Sequence, residues 1–235
     1  MSAPPAAVLW DLDGTLIRGE ELWEIAFGAT ARALGITLDR ATRVRLVGAD
    51  VDASVEMILT RAQRPITQRA REVTRHKLLA TVAMLYTSGV DWKPGAVAAL
   101  HRLREAGIPL GLVTNTPRQI TDLAINGSPG GYFDVTVCAD EVPAGKPAPD
   151  PYQRAAQLLD VPIGACVAIE DSPDGVRSAD AAGAAVLVVP DRVPVRVDPR
   201  HTHRADLLGL DVAELSAVLD RAYPARAYSA LRMMT

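Results

Sequence analysis

Short apolar runs alternate with helical segments along the second half of the chain, and this alternation constrains the fold more than any other feature. The runs that predict strands cover residues 108–113, 135–138, 166–169 and 184–189. The predicted helices cover 94–106, a segment from Pro117, 151–159, 173–182 and 211–221. Such units connect into a parallel sheet, so we expect an α/β fold with a Rossmann-like sheet flanked by helices. The Pro- and Arg-rich stretch 190–204 is expected to be a loop.

A block without strands interrupts this pattern near the start of the chain. Residues 6–10 are apolar and predict a first strand, whereas residues 20–86 have apolar side chains at helical spacing. The chain can return to the same sheet after residue 90. We therefore expect an α/β core domain made of 1–17 and 92–235. A small all-helical cap domain, 18–91, is inserted after the first strand and lies over the strand ends.

The composition supports a folded aliphatic core and excludes several partners. Of the 235 residues, 49% are hydrophobic but only 4% are aromatic. The net charge of -3 provides no basic surface for nucleic acid or an anionic membrane. Cys138 and Cys166 lie in apolar runs and are expected to be buried thiols. Neither a secretory leader nor a membrane span is evident, which leads us to expect a cytoplasmic protein.

Polar side chains follow the strands at the point where each strand ends. In open α/β sheets, ligands bind outside the carboxyl ends of the strands, so these residues are the candidates for a functional site. In chain order they are Asp11, Asp13, Thr114, Asn115, Lys146, Glu170 and Asp171.

This set of groups suits phosphoryl transfer. Carboxylate oxygens are ligands that Mg²⁺ prefers, and an ammonium, a hydroxyl and backbone N–H groups can bind phosphate oxygens. A carboxylate can also attack phosphorus and form an aspartyl-phosphate. Asp11 and Asp13 are two residues apart on extended backbone and therefore project to the same side. One can be the nucleophile while the other protonates the leaving oxygen and later activates water.

Four ordered motifs resemble those of the haloacid dehalogenase-like hydrolase superfamily. They read Asp-Leu-Asp-Gly-Thr-Leu at 11–16, Val-Thr-Asn at 113–115, Gly-Lys-Pro at 145–147 and Ile-Glu-Asp-Ser-Pro-Asp-Gly-Val at 169–176. The first motif alone would be weak, because Asp-Gly is a common turn. Four motifs in order at strand ends are specific. The helical block is similar to the small cap of the subgroup that contains phosphoglycolate phosphatases and β-phosphoglucomutases.

The resemblance implies which acidic residues carry the chemistry. Asp11 would be the nucleophile and a ligand of Mg²⁺. Asp13 would be the general acid and base, and it would bind the metal through its backbone carbonyl. Asp171 would be a metal ligand, and Glu170 either a ligand or a hydrogen-bonding partner of one. Dehalogenating members lack a carboxylate at the position of Asp13, so its presence here implies phosphate esters as substrates.

The resemblance also implies the phosphate-binding groups and the overall function. Thr114 would bind phosphoryl oxygens with help from the Asn115 amide, and Lys146 would orient and neutralise the nucleophile and the phosphate. The expected function is Mg²⁺-dependent hydrolysis of a small phosphorylated metabolite through an aspartyl-phosphate. The expected assembly is a monomer or a homodimer, and no role is assigned to residues 222–235.

Two other functions remain open at this level. The first is a β-phosphoglucomutase-like phosphomutase, although hexose-phosphate mutases carry a His where Trp23 stands and an Arg directly after the glycine at position 48. The second is a non-catalytic protein that binds a phosphorylated ligand. Many members of the family also have Asp-Ser or Asp-Thr after the first motif, where this chain has Arg18-Gly19.

The cap residues that set specificity are not identified by the sequence. Trp23 is either a packing residue or a residue that faces the substrate. Arg43 and Arg45 could reach a substrate anion, or could simply be exposed to solvent.

Overall fold

The computed structural model describes residues 3–125 and 131–223, and this part of the chain forms one sheet with helices around it. The strands are β1 Ala7–Trp10, β2 Leu110–Thr114, β3 Val135–Cys138, β4 Cys166–Glu170, β5 Ala185–Val188 and β6 Thr202–His203. The first five α-helices are α1 Gly19–Ala33, α2 Arg40–Leu46, α3 Val51–Arg61, α4 Gln68–Thr87 and α5 Ala96–Glu105. The others are α6 Arg118–Ile125, α7 Asp150–Leu158, α8 Pro173–Ala182 and α9 Val212–Ala222.

All strand pairs in the sheet are parallel, and the strand order is β3-β2-β1-β4-β5-β6. Strand β1 lies in the middle, where Val8 pairs with Leu110 on one side and Val167 on the other. Its four residues are completely buried, as a continuous apolar run in a central parallel strand should be. The strand order reverses beside β1, and a crevice at that point is where such sheets bind ligands.

The predicted fold class is confirmed, and most predicted elements lie within two residues of their observed bounds. The prediction for 190–204 was wrong in one respect, because Thr202–His203 forms the edge strand β6. A two-residue strand is too short to show any alternation of apolar and polar residues. It pairs because Leu187 and Val188 of β5 present an unoccupied edge to it.

Helices α1 to α4 are inserted between β1 and β2, and the two chain segments that lead in and out lie side by side. Ile17 and Trp92 form an antiparallel bridge. The Arg18 amide donates to the Asp91 carbonyl at 2.9 Å, and the Lys93 amide donates to the Leu16 carbonyl at 2.8 Å. Within the insertion, α4 packs against α1 and α3, and it also contacts α6 on the sheet side.

The core is mostly aliphatic, as expected from the composition, but three aromatic side chains are also fully enclosed: Trp10, Tyr86 and Tyr152. Cys138 and Cys166 are buried free thiols, in agreement with the sequence. Within residues 3–125 and 131–223, the helices include none that is both long and apolar enough to cross a membrane.

Candidate active site

Asp11 and Asp13 lie directly after β1 and point to the same side of the chain. The Asp11 amide continues the sheet by donating to the Ile169 carbonyl at 3.0 Å. Leu12 between them is fully buried, while Asp11 and Asp13 are 7% and 9% exposed. The alternation predicted from extended backbone therefore holds, and both carboxylates face the carboxyl edge of the sheet.

Gly14 turns the chain away from the site at a φ of +94°, a conformation that glycine adopts without steric cost. A Cβ at this position would lie 2.2 Å from Oδ2 of Asp171. The first motif and the fourth motif are thus in direct contact at Gly14.

Gly14→Ala is expected to lower the free energy of unfolding by about 2 kcal/mol or more, since it combines a strained φ with a steric clash. It should also reduce activity, because Asp171 has to move. Urea unfolding and turnover would be measured beside Gly28→Ala. Gly28 lies in helix α1, where a Cβ would meet only the flexible end of Arg32 at 3.3 Å. If the Gly14→Ala protein were as stable and as active as the Gly28→Ala protein, the turn would not require glycine at position 14.

Lys146 is a buried cation at the centre of the site. Its Nζ donates to Oδ1 of Asp11 at 2.7 Å, to Oε1 of Glu170 at 2.6 Å and to the Val113 carbonyl at 2.8 Å. Burial alone would lower the pKa of this ammonium, but the charges of Asp11 and Glu170 outweigh burial and raise it. Lys146 therefore remains charged, and its three donor positions are all used.

Asp11, Glu170 and Asp171 form an acidic cluster. One carboxylate oxygen from each residue lies within 4.8 Å of one oxygen from each of the other two. Among the described residues, Oδ2 of Asp11 is buried without any hydrogen-bond partner. Burial, and then the charges of Asp11 and Glu170, raise the pKa of Asp171 well above its usual value. Hard oxygen donors, an unsatisfied buried oxygen and crowded negative charge together fit a divalent cation such as Mg²⁺.

Glu170 has more protein partners than the other two acids of the cluster. Besides Lys146, it accepts a hydrogen bond from the Tyr152 hydroxyl at 2.6 Å, and the Ser172 hydroxyl lies 3.4 Å from its second oxygen. Of the two roles left open for Glu170, this arrangement favours that of a partner that holds Lys146 over that of a direct metal ligand.

Asp13 is held from two sides. The Thr116 hydroxyl donates to its Oδ2 at 2.7 Å, and the Tyr86 hydroxyl donates to its Oδ1. Burial raises the pKa of Asp13 to about 6, although both hydrogen bonds act to lower it. A carboxyl group with a raised pKa is suited to exchange a proton near neutral pH.

Thr114 and Asn115 occupy the end of β2, as predicted. The Thr114 hydroxyl accepts from the Thr116 amide at 3.0 Å. The Asn115 side chain connects three segments: it donates to the carbonyls of Gly48 at 3.0 Å and Lys146 at 3.1 Å, and accepts from the Lys146 amide at 2.8 Å. Since its side-chain amide is engaged in this way, the donor that Asn115 could offer to a ligand is its main-chain N–H.

The inserted helices cover the site and contribute side chains to it. They surround, with the sheet edge, a cavity of about 40 Å³, which has room for about three water molecules. Glu20 and Trp23 of α1 line this cavity beside Asp11 and Asp13. Glu20 is 7% exposed, and burial together with the charges of Asp13 and Asp11 raises its pKa well above the usual value.

Arg43 lies outside this cavity. It borders a larger one of about 760 Å³ that also touches Glu20, Phe27 and Leu46. Its guanidinium contacts the Leu38 carbonyl at 3.1 Å and Glu24 at 3.3 Å. Arg45 is exposed and borders neither of these two cavities.

The structure brings all seven residues predicted for the site to one edge of the sheet. Sequence reasoning assigned no role to Thr116, Tyr86 and Tyr152, which donate hydrogen bonds to these residues, or to Glu20, which lines the cavity beside them. Thr116 follows a motif directly and could have been found by its position. Glu20 and Tyr152 lie in the first turns of α1 and α7, shortly after the first and third motifs, whereas Tyr86 is far from any motif. No sequence signal distinguishes these three from ordinary helix residues.

The fold and the site together define an α/β enzyme with an acidic centre at the switch point of a parallel sheet, beneath a helical insertion. The family model for haloacid dehalogenase-like hydrolases matches residues 5–183. This chain belongs to that family of hydrolases.

Relatives within the family include both hydrolases and a mutase. Hexitol phosphatase A of Escherichia coli (strain K12) is 35% identical over 183 residues, covering 77% of this chain and 81% of that protein. The β-phosphoglucomutase of Bacillus subtilis (strain 168) is 32% identical over 184 residues, covering 75% and 80%. The crystal structure of CbbY from Rhodobacter sphaeroides in complex with phosphate has a TM-score of 0.80 and 28% identity, covering 90% of this chain and 99% of that one.

Proposed function

We propose that the chain is a Mg²⁺-dependent phosphatase that hydrolyses a small phosphate monoester through an aspartyl-phosphate on Asp11. The observation that carries this proposal is the environment of Asp11. Its Oδ1 is held by Lys146, whereas its buried Oδ2 has no hydrogen-bond partner among the described residues. A fixed, desolvated carboxylate oxygen at the end of the central strand is suited to attack an electrophile. The hexitol phosphatase relative gives independent support.

Lys146 and the end of β2 would bind the phosphoryl group in front of Asp11. Lys146 neutralises charge on the nucleophile and on the phosphate, and the hydroxyl of Thr114 and the main-chain N–H of Asn115 hold its oxygens. Thr114 is 1% exposed and Lys146 is 5% exposed, so bulk water does not weaken these contacts.

Asp13 would carry the proton in both halves of the reaction. As the P–O bond to the leaving group breaks, the Asp13 carboxyl passes its proton to the departing alkoxide oxygen. Its carboxylate then removes a proton from the water that attacks the aspartyl-phosphate. Thr116 fixes the carboxyl group at 2.7 Å while it does so.

The acidic cluster is the proposed cation site. Asp11 and Asp171 would hold Mg²⁺ together with the Asp13 backbone carbonyl, and Glu170 would hold Lys146 beside them. Bound Mg²⁺ supplies charge stabilisation to the phosphoryl oxygens. Without a cation, the carboxylates of Asp11 and Asp171 repel each other, which agrees with the raised pKa of Asp171.

Residues 18–91 are the proposed cap domain, and residues 1–17 with 92–235 the proposed core. The cavity of about 40 Å³ is too small for a whole sugar phosphate. Substrate entry would therefore require the cap to move, and its return would exclude water from Asp11 and Asp13.

Phosphate release from a panel of phosphorylated metabolites tests the proposal. The panel contains hexitol, hexose and pentose phosphates, phosphoglycolate, glycerol phosphates and nucleotides, each with Mg²⁺ and with EDTA. Release that requires Mg²⁺ supports a phosphatase and ranks its substrates. If folded, Mg²⁺-bound protein released phosphate from no compound of the panel, the result would favour the alternative of a non-catalytic protein that binds a phosphorylated ligand.

A phosphomutase is the second candidate, and the β-phosphoglucomutase relative favours it. A mutase returns the phosphoryl group to the sugar instead of to water. Incubation with β-glucose 1-phosphate separates the two functions, since isomerisation without phosphate release would identify a mutase. Trp23 and Ala49 stand where hexose-phosphate mutases carry His and Arg, and we therefore expect no isomerisation.

Mg²⁺ is expected to stabilise the folded protein, because it would relieve repulsion within the acidic cluster. At a concentration 100 times the dissociation constant, the gain is about 2.7 kcal/mol. Thermal unfolding with and without Mg²⁺ measures it, and Asp171→Asn should abolish most of the shift. An equal Mg²⁺ shift in wild type and Asp171→Asn would place the cation elsewhere.

A further inference from the structure

One side-chain hydrogen bond joins the helical insertion to the proposed acid–base residue itself. Tyr86 lies in the last turn of α4, and its hydroxyl donates to Oδ1 of Asp13. Tyr86 is 2% exposed and Asp13 is 9% exposed, so the bond is shielded from water. A bond of this kind between buried groups is worth more than one at the surface.

The bond completes the fixation of the Asp13 carboxyl group. Thr116, from the sheet side, holds Oδ2, and Tyr86, from the insertion, holds Oδ1. With one of these donors removed, the carboxyl group could rotate about its terminal torsion, which has a broad energy minimum. Each carboxyl oxygen has two lone-pair sites, so both bonds leave positions for the proton that Asp13 transfers.

The chain leaves space for this contact at the start of α1. A Cβ at Gly19 would lie 1.6 Å from Oδ1 of Asp13 and 2.5 Å from the Tyr86 hydroxyl. Any side chain at position 19 would therefore separate the two groups or displace both.

Tyr86 is a donor rather than a charged group in this contact. Burial, and next the charge of Asp13, raise the pKa of its phenol well above the usual value. It therefore keeps its proton near neutral pH. Its hydroxyl can orient Asp13 but cannot replace it as the acid or the base.

We propose that Tyr86 is a positioning residue that fixes the Asp13 carboxyl group toward the leaving-group oxygen only while the inserted helices lie over the site. This inference rests on the proposed phosphatase function. It links closure to proton transfer, because Asp13 is held on both oxygens only when α4 is in place. With the insertion moved away, Thr116 alone would hold Asp13, and proton transfer to a leaving group would slow.

The test compares first-step rates on two leaving groups by rapid quench, in wild type and in Tyr86→Phe. An alkoxide needs a proton from Asp13, whereas p-nitrophenolate leaves without one. For the alkyl phosphate with the highest turnover, Tyr86→Phe should slow the first step about 10- to 100-fold, part of the roughly 10²- to 10⁴-fold that a positioned acid contributes. The p-nitrophenolate burst and the KM of both substrates should change less than about twofold.

Two further variants serve as controls for this comparison. Gly19→Ala is the positive control for a displaced Asp13, because its Cβ would clash with Oδ1 and slow the alkyl phosphate more than p-nitrophenyl phosphate whatever the role of Tyr86. Tyr132→Phe is the matched control, since Tyr132 is also buried and its hydroxyl bonds to His101 at 3.2 Å, away from the site.

Equal slowing on both substrates would overturn the inference, because it would indicate a general structural defect. An unchanged first-step rate in Tyr86→Phe, with Gly19→Ala slowed on the alkyl phosphate, would also overturn it. A wild-type protein that forms no aspartyl-phosphate from either substrate is a different result. That result would overturn the proposed function itself.

Discussion

Asp11→Asn is expected to lower phosphate release by about 10⁴-fold or more, the scale on which removal of a covalent nucleophile acts. The amide oxygen of asparagine can still accept the hydrogen bond from Lys146, so the site should remain assembled. An amide cannot, however, form the acyl phosphate that the proposed mechanism requires. The measurement is turnover on the best substrate of the panel, with acid-quench detection of the phosphorylated protein.

Asp160→Asn provides the matched control for this substitution. Asp160 is exposed beyond the end of α7 and has a positive φ of 55°, which asparagine also tolerates. It should therefore leave both stability and turnover unchanged. If Asp11→Asn protein still released phosphate and still became phosphorylated, the nucleophile would have to be another residue. The whole assignment of the site would then be wrong.

The α/β class and the place of the site could be predicted because both depend on local signals. The run Ala7–Trp10 is apolar throughout, and a run of this kind is fully buried in the middle of a parallel sheet. Asp11 follows it directly, so its position at the carboxyl edge is fixed by the covalent chain. Lys146 and Asp171 follow other strands in the same way, and parallel strands bring their ends together.

The partners that hold these residues could not be predicted, because they arrive from elements distant in sequence. Tyr86 is separated from Asp13 by 73 positions. In the sequence of α4 it looks like any other residue on the buried face of an amphipathic helix. The prediction that the Asn115 amide helps to bind phosphate stays a prediction, and it gave no sign that the side chain joins the carbonyls of Gly48 and Lys146. Such contacts depend on how the inserted helices dock onto the sheet, and one sequence contains no direct signal for that docking.

Lys146→Met should be the most destabilising substitution in the site. Lys146 is 5% exposed, and it neutralises Asp11 and Glu170 in the same buried position. Methionine has a similar length but supplies no charge and no donor, so two buried carboxylates lose their partner. Breaking a buried ion pair in this way costs about 3–5 kcal/mol. Chemical unfolding in Mg²⁺-free buffer measures the loss, and turnover should disappear with it.

Lys77→Met and Lys146→Arg separate charge from position. Lys77 is exposed on α4, so its replacement by methionine should change the free energy of unfolding by less than about 0.5 kcal/mol. Arginine at 146 keeps the positive charge but not the shape, and a planar guanidinium does not fit three acceptors arranged around one nitrogen. We therefore expect Lys146→Arg to recover part of the stability and little of the activity.

If Lys146→Met were as stable as Lys77→Met, the carboxylates would have to be protonated or otherwise compensated, and the neutralising role of Lys146 would be refuted. If Lys146→Arg were fully active, charge alone would suffice, and the three fixed contacts of the ammonium would have no part in catalysis.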